Sequence, residues 1–157
     1  MVNYFEIHLA KVTSSNGTSI GRIEVERCSC LEISKILKYT FLLHFIVSII
    51  FGFVFFLVPE FYSDAVGWPF NDPAATRGLG SAFIGFAITS LFGYMAGSWE
   101  EVKIVVLGEI VFTLFGLLAM VWMIMVHATI PALLGWLYAL IFAVFFVLFL
   151  YSYFTAK

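Results

Sequence analysis

The stretch VKIVVLGEIVFTLFGLLAMVWMIMV, residues 102–126, decides the fold. It carries only two charged side chains, Lys103 near its start and Glu109 further in. The hydrocarbon core of a bilayer is about 30 Å thick and takes roughly 20 apolar residues of helix to cross. Backbone N–H and C=O groups find no partner in lipid, so a spanning segment must bond to itself as a helix or close into a barrel. Residues 102–126 lack the period-two alternation of a barrel strand. They predict a transmembrane helix.

Three more stretches of this kind lie on either side. They cover about 36–58, 73–97 and 131–154. The chain is 62% hydrophobic and 11% charged, whereas a soluble domain carries about 25% charged residues. The surplus apolar surface belongs in lipid. The expected fold is all-α, an antiparallel bundle of four transmembrane helices over 35–157, preceded by a polar N-terminal segment, 1–34. The opening MVNYFEIHLAKVTSSNG lacks the basic and apolar regions of a cleavable signal.

The ends of the spans carry local signals. The first stops at Pro59, and the loop from Glu60 to Asp72 follows. Asp72-Pro73 reads as an N-cap followed by proline at the first helical position. Pro131 opens the fourth helix in a similar way. SWEE, residues 98–101, reads as a tight connection that makes its flanking helices antiparallel. In the N-terminal segment, FEIHLAKV and IGRIEVE flank TSSNGTS, a pattern that fits a β-hairpin. Cys28 and Cys30 are too few and too close for a disulfide framework or a zinc site, and read as reduced bystanders.

Orientation follows from the basic residues. Lys11, Arg22, Arg27, Lys35, Lys38, Lys103 and Lys157 fall on one side, and only Arg77 on the other. Basic residues collect on the cytoplasmic side of short loops. Both termini are therefore expected in the cytoplasm of a multi-pass cell-membrane protein. The net charge is −2. Membrane lipid is the expected partner, in a homo-oligomer or a larger membrane complex, and no nucleic acid is expected.

Small residues promise helix packing. Ser81, Gly85, Thr89, Gly93 and Gly97 recur every fourth position, and Gly135, Ala139 and Ala143 repeat the device in the fourth helix. In lipid, small side chains let backbones approach and associate. A packing groove along Ser81, Gly85, Gly93 and Gly97, matched by Gly135 and Ala139, is the expectation, closed within the bundle or serving as the seam of a homo-oligomer. The bulky tail AVFFVLFLYSYF is expected to face lipid or a partner subunit.

Glu109 is the chemical anomaly. At 1.5 Å per residue it lies roughly 10 Å below the interface on the side of the termini, and His44 roughly 12 Å below it. Thr89 and Ser90 come to a similar depth. Polar groups at such depth are costly and face the bundle interior or a wet cavity. Glu109, His44, Thr89 and Ser90 therefore form the candidate buried site. It serves either as a hydrogen-bonded clasp that sets helix register or as a site for a proton or ligand. One Glu and one His are too few for a metal, and no cofactor is expected. A second candidate lies at the opposite interface, where Arg77, Asp72 and Trp68 gather in WPFNDPAATRG; there Arg77 pairs with Asp72, Asp64 or Glu60, or reaches lipid headgroups.

WPFNDPAATRGLGSA and SWEEVKIVVLGEIVF together resemble small, uncharacterised four-span membrane proteins of prokaryotes, the DoxX-like group. The shared elements are Trp68-Pro69, Asp72-Pro73, Arg77, Gly80, Trp99-Glu100, Lys103 and Glu109. The resemblance covers the second and third helices. It implies the four-span topology and no particular activity.

No Ser/His/Asp set, CxxC pair, HExxH or phosphate-binding glycine loop is present. This favours a non-enzymatic accessory subunit or self-associating bundle. Two alternatives remain open. One is a binder or carrier of a proton or small lipophile at Glu109 and His44. The other is a membrane enzyme acting on a lipid-like substrate, with Glu109 as its acid–base group.

Overall fold

The computed structural model describes residues 33–68, 72–126 and 131–156. The expected hairpin, Cys28 and Cys30 lie outside them. Among the described residues five helices follow in order: α1 Lys35–Leu57, α2 Pro59–Val66, α3 Pro73–Met95, α4 Trp99–Val126 and α5 Ala132–Thr155. All but α2 are long and apolar enough to cross a membrane. The protein is an all-α four-span membrane bundle.

Several boundaries have a local cause. Ser34 caps α1, its hydroxyl accepting from the Leu37 N–H at 3.2 Å. Pro59 ends α1, because the residue before a proline is driven out of the helical region; Val58 sits at φ −133°. The same proline then starts α2 at its first position. The expected loop from Glu60 to Asp72 thus contains a short helix. Gly67 stops it in the left-handed conformation, φ 68°, where a glycine meets no Cβ penalty. Asp72 caps α3 by accepting from the N–H groups of Ala74 and Ala75 at 2.9 and 3.2 Å.

The fourth position of SWEE has a role that makes the connection shorter than expected. Glu101 accepts from the Gly97 N–H at 3.2 Å and from the Ser98 hydroxyl at 2.8 Å. The Glu101 side chain thus reaches back to the chain before the helix, and Ser98 donates its hydroxyl to that carboxylate, so the spacing of a capping box is present without its reciprocal bonds. Trp99 to Glu101 therefore form the first turn of α4, and only residues 96–98 join it to α3.

The spans pack as two close pairs, α1 with α3 and α4 with α5, and the pairs meet more sparsely along α1/α5 and α3/α4. Between α1 and α3 the backbones touch. A Cβ on Gly80 would lie 2.6 Å from the Phe56 nitrogen and 2.9 Å from the Gly52 carbonyl oxygen. Glycine is required there by space alone.

Within the bundle, the packing stripe on α3 is therefore not the one expected for intramolecular packing. Its buried residues are Gly80, Ala87, Ser90 and Gly93. Ser81, Gly85, Thr89 and Gly97 are exposed, and a Cβ on Gly85 or Gly97 would meet nothing within 4 Å. Only Gly93 belongs to both sets; its Cβ would strike the Phe41 ring at 2.7 Å. A helix has 3.6 residues per turn, so each step of four overshoots by about 40°. Over Ser81 to Gly97 the drift reaches about 160°, and the stripe winds to the far side. Steps of seven hold one face far better, as Gly80 and Ala87 do. Gly135 and Ala139 of α5 are buried.

The tail of α5 also departs from expectation. Phe145 and Phe149 turn inward and are buried, while Val144, Val147, Tyr151 and Phe154 are exposed. With Leu37, Phe41, Trp99, Val102 and Val106 they make an apolar core at the end of the bundle nearest the termini.

Candidate functional site

Below that core sits Glu109, fully buried, with His44 beside it at 3% exposure. His44 Nε2 lies 3.5 Å from Glu109 Oε2. Ser90 on α3 joins them. Its hydroxyl donates to Glu109 Oε1 at 3.2 Å, and its oxygen lies 2.8 Å from His44 Nδ1. Thr89 takes no part: it is exposed, and its hydroxyl donates to its own helix at the Phe86 carbonyl, 2.9 Å away. Residues 89 and 90 point about 100° apart on a helix, so only one can face the bundle interior.

The hydrogen bonds constrain the protons. Ser90 has one hydrogen, and it goes to Glu109. His44 Nδ1–H must therefore donate to the Ser90 oxygen. That leaves Nε2 as an acceptor in the neutral ring. An ionised Oε2 facing it would place lone pair against lone pair, and Oε2 has no other hydrogen-bond partner. One added proton between Nε2 and Oε2 removes the conflict. The pair is then either neutral acid with neutral imidazole or carboxylate with imidazolium. Both have zero net charge, the least costly condition in hydrocarbon.

Sequence reasoning missed three members. Ser48, one turn beyond His44 on the same face of α1, has its hydroxyl 3.3 Å from His44 Nε2. Phe145 and Phe149 hold the imidazole edge-on, with ring centroids at 4.7 and 5.5 Å. The i,i+4 spacing of His44 and Ser48 is a signal in the sequence. Nothing in the sequence pairs α5 with α1.

The cluster also bridges the two helix pairs. His44, Ser48 and Ser90 belong to the α1/α3 pair, and Glu109 to the α4/α5 pair. Beyond it, toward the end opposite the termini, a cavity of about 310 Å³ opens between the pairs. Its walls are aromatic, with Phe51, Phe55, Phe83, Phe112, Phe142 and Tyr138. His44, Ser48 and Thr113 line its inner end, and Tyr62, Ser63, Trp68 and Thr76 its outer end. Glu109 is not on the wall; it stands behind His44.

The second candidate separates into parts. Arg77 pairs with Glu60 at 3.0 Å, both partly exposed. Asp72 is occupied as the cap of α3. Trp68 packs on Tyr138, centroids 6.4 Å apart. Hydrogen bonding to the backbone and then to Arg77 holds the Glu60 carboxyl below its ordinary value, with burial opposing. Burial pushes the Tyr62 phenol up to about 12, and its buried hydroxyl has no hydrogen-bond partner. Among the described residues no group of three or more His, Cys, Asp or Glu side chains is placed to hold a metal ion. No protein-family model matches the chain, and no significant similarity links it to a curated protein or a solved structure.

Proposed function

We propose that the protein binds a small lipophilic molecule carrying one oxygen that takes part in hydrogen bonding. The observation that carries this reading is the 310 Å³ aromatic cavity ending on His44 and Ser48. Ligand pockets are concave, mostly apolar and supplied with a few placed polar groups, at volumes of about 300–1,000 Å³. An apolar cavity of about 150 Å³ holds one benzene ring, so this one suits roughly two fused rings. The apolar body would lie among the phenylalanines. Its oxygen would meet Ser48 and His44, whose position Glu109 and Ser90 support. In this reading the Glu109/His44 cluster orients the polar end of the site.

The alternatives draw less support. An accessory subunit or self-associating bundle would need no such cavity. An enzyme using Glu109 directly on a substrate would need that carboxyl on the cavity wall, and His44 stands in front of it. The surrounding partner is membrane lipid, and we place the termini in the cytoplasm on the strength of the basic residues.

The test is native mass spectrometry of the purified protein with naphthalene and with 2-acetylnaphthalene. The ketone should bind one-to-one and more tightly than the hydrocarbon, by one net hydrogen bond of about 0.5–1.5 kcal/mol, or about two- to twelvefold. Ser48→Ala should shrink that difference, and Thr113→Leu, which narrows the inner end, should weaken both. No saturable binding of either compound would refute the reading.

A further inference from the structure

We infer that the cavity is loaded sideways from the bilayer, through a portal between α3 and α4 in the half of the membrane opposite the termini. The inference rests on the ligand-binding reading above and specifies how its ligand arrives.

Among the described residues, contacts cover the other sides of the cavity. Toward the termini, Leu37, Phe41, Val102, Val106 and Phe149 are each at most 2% exposed and block passage beyond His44. The α1/α3 seam is shut by backbone against backbone at Gly52 and Gly80. The α1/α5 seam is covered by Phe51 against Tyr138, centroids 5.7 Å apart. In the α4/α5 pair, Phe142 lies so close to Gly116 that a Cβ there would meet its ring at 2.5 Å. At the α2 end, Tyr62 packs on Phe55 at 4.9 Å and Trp68 on Tyr138.

The α3/α4 seam differs along its length. Near mid-span Phe112 closes it, stacked on Phe86 at 4.2 Å and edge-on to Phe83 at 5.8 Å. Further from the termini, Leu79 on α3 and Ala119 on α4 both line the cavity. Both are also open to the outside: Leu79 is 44% exposed and Ala119 is exposed. A side chain that faces the interior and the exterior together marks the rim of an opening. Leu79 lies six residues into α3 and Ala119 seven residues before the end of α4. At 1.5 Å per residue, both are roughly 10 Å inside the span. The rim thus sits in the hydrocarbon region, and both of these side chains are apolar. An ion or a hydrated solute has no reason to arrive there. A molecule already dissolved in the lipid does. It would enter between Leu79 and Ala119, pass Phe83 and Phe112, and end with its oxygen at Ser48.

A side chain that narrows a portal raises the barrier to entry and exit equally and leaves the bound state unchanged. The experiment therefore separates rates from affinity. Wild type, Leu79→Phe, Ala119→Phe and the control Val144→Phe, on an exposed face of α5, are reconstituted in lipid nanodiscs. Binding of 2-acetylnaphthalene is followed by stopped-flow quenching of tryptophan emission. Both rim variants should slow association and release by about tenfold or more, with Kd within about twofold of wild type, and the control should match wild type. If wild type binds and the rim variants exchange as fast, the portal is wrong and the binding site stands. If the variants instead change Kd through release alone, Leu79 and Ala119 are pocket wall, and the portal is again wrong. If wild type shows no saturable binding, the ligand reading fails first and the portal with it.

Discussion

Glu109 shows how one side chain can be both anomalous and well housed. Its neighbours along α4 are apolar, so its partners come from other helices: Ser90 from α3 and His44 from α1. Thr113, one turn on, does not help, because its hydroxyl donates to the Glu109 backbone carbonyl at 2.6 Å. A buried acceptor left without a donor costs about 1–3 kcal/mol. Glutamine keeps the shape, its carbonyl accepting from Ser90 and its amide donating to His44. Glu109→Gln should therefore leave thermal stability in detergent close to wild type. Glu109→Leu takes the acceptor from the buried Ser90 hydroxyl, leaving His44 only Ser90 and Ser48, and should cost about 1–3 kcal/mol. Equal melting temperatures for wild type and the leucine variant would show that the cluster contributes nothing to folding.

At the scale of the helix, the two pairs are held by different means. The α1/α3 pair depends on close approach at Gly52 and Gly80. Apolar burial gives little drive between helices in lipid, so fit and close packing must supply the association. Gly80→Leu should split the pair and yield aggregated or sharply destabilised protein, and even Gly80→Ala should lower the melting temperature. Gly85→Leu should do neither, since its Cβ would meet nothing within 4 Å. Size-exclusion profiles and thermal melts of the three variants decide the matter. A tolerated Gly80→Leu beside a disruptive Gly85→Leu would mean that the stripe at four-residue spacing is the packing face after all.

For the whole molecule, among the described residues the pairs meet through an apolar core, aromatic rings and the polar cluster around Glu109, and the cavity lies between them. The start of α1 and the end of α5 fall at the sealed end, because four spans bring the chain back to its starting side. We expect that side to be cytoplasmic. A tag fused after Lys157 should resist an added protease in intact cells and be cut once the membrane is opened. Cleavage in intact cells would reverse the orientation, and with it the leaflet that feeds the portal.

Sequence by itself determined the four spans, most of their ends and the depth of the polar groups. Hydrophobic length, prolines and caps act within a few residues of where they are written, and lipid allows an apolar segment few structures. The depth of His44, Ser90 and Glu109 follows from counting residues at a fixed rise. Rotation does not follow from counting in the same way. Whether Ser90 or Thr89 faced inward, and whether Gly80 or Gly85 met α1, turned on about 100° per residue about a helix axis. In lipid an apolar face does not reveal the interior, because the surroundings are apolar too. Only the tertiary structure decided which helices pair, and so placed Phe145 and Phe149 against His44 and opened a cavity between the pairs. That space belongs to no single segment: its walls come from all five helices and the turn at Trp68, brought together by packing.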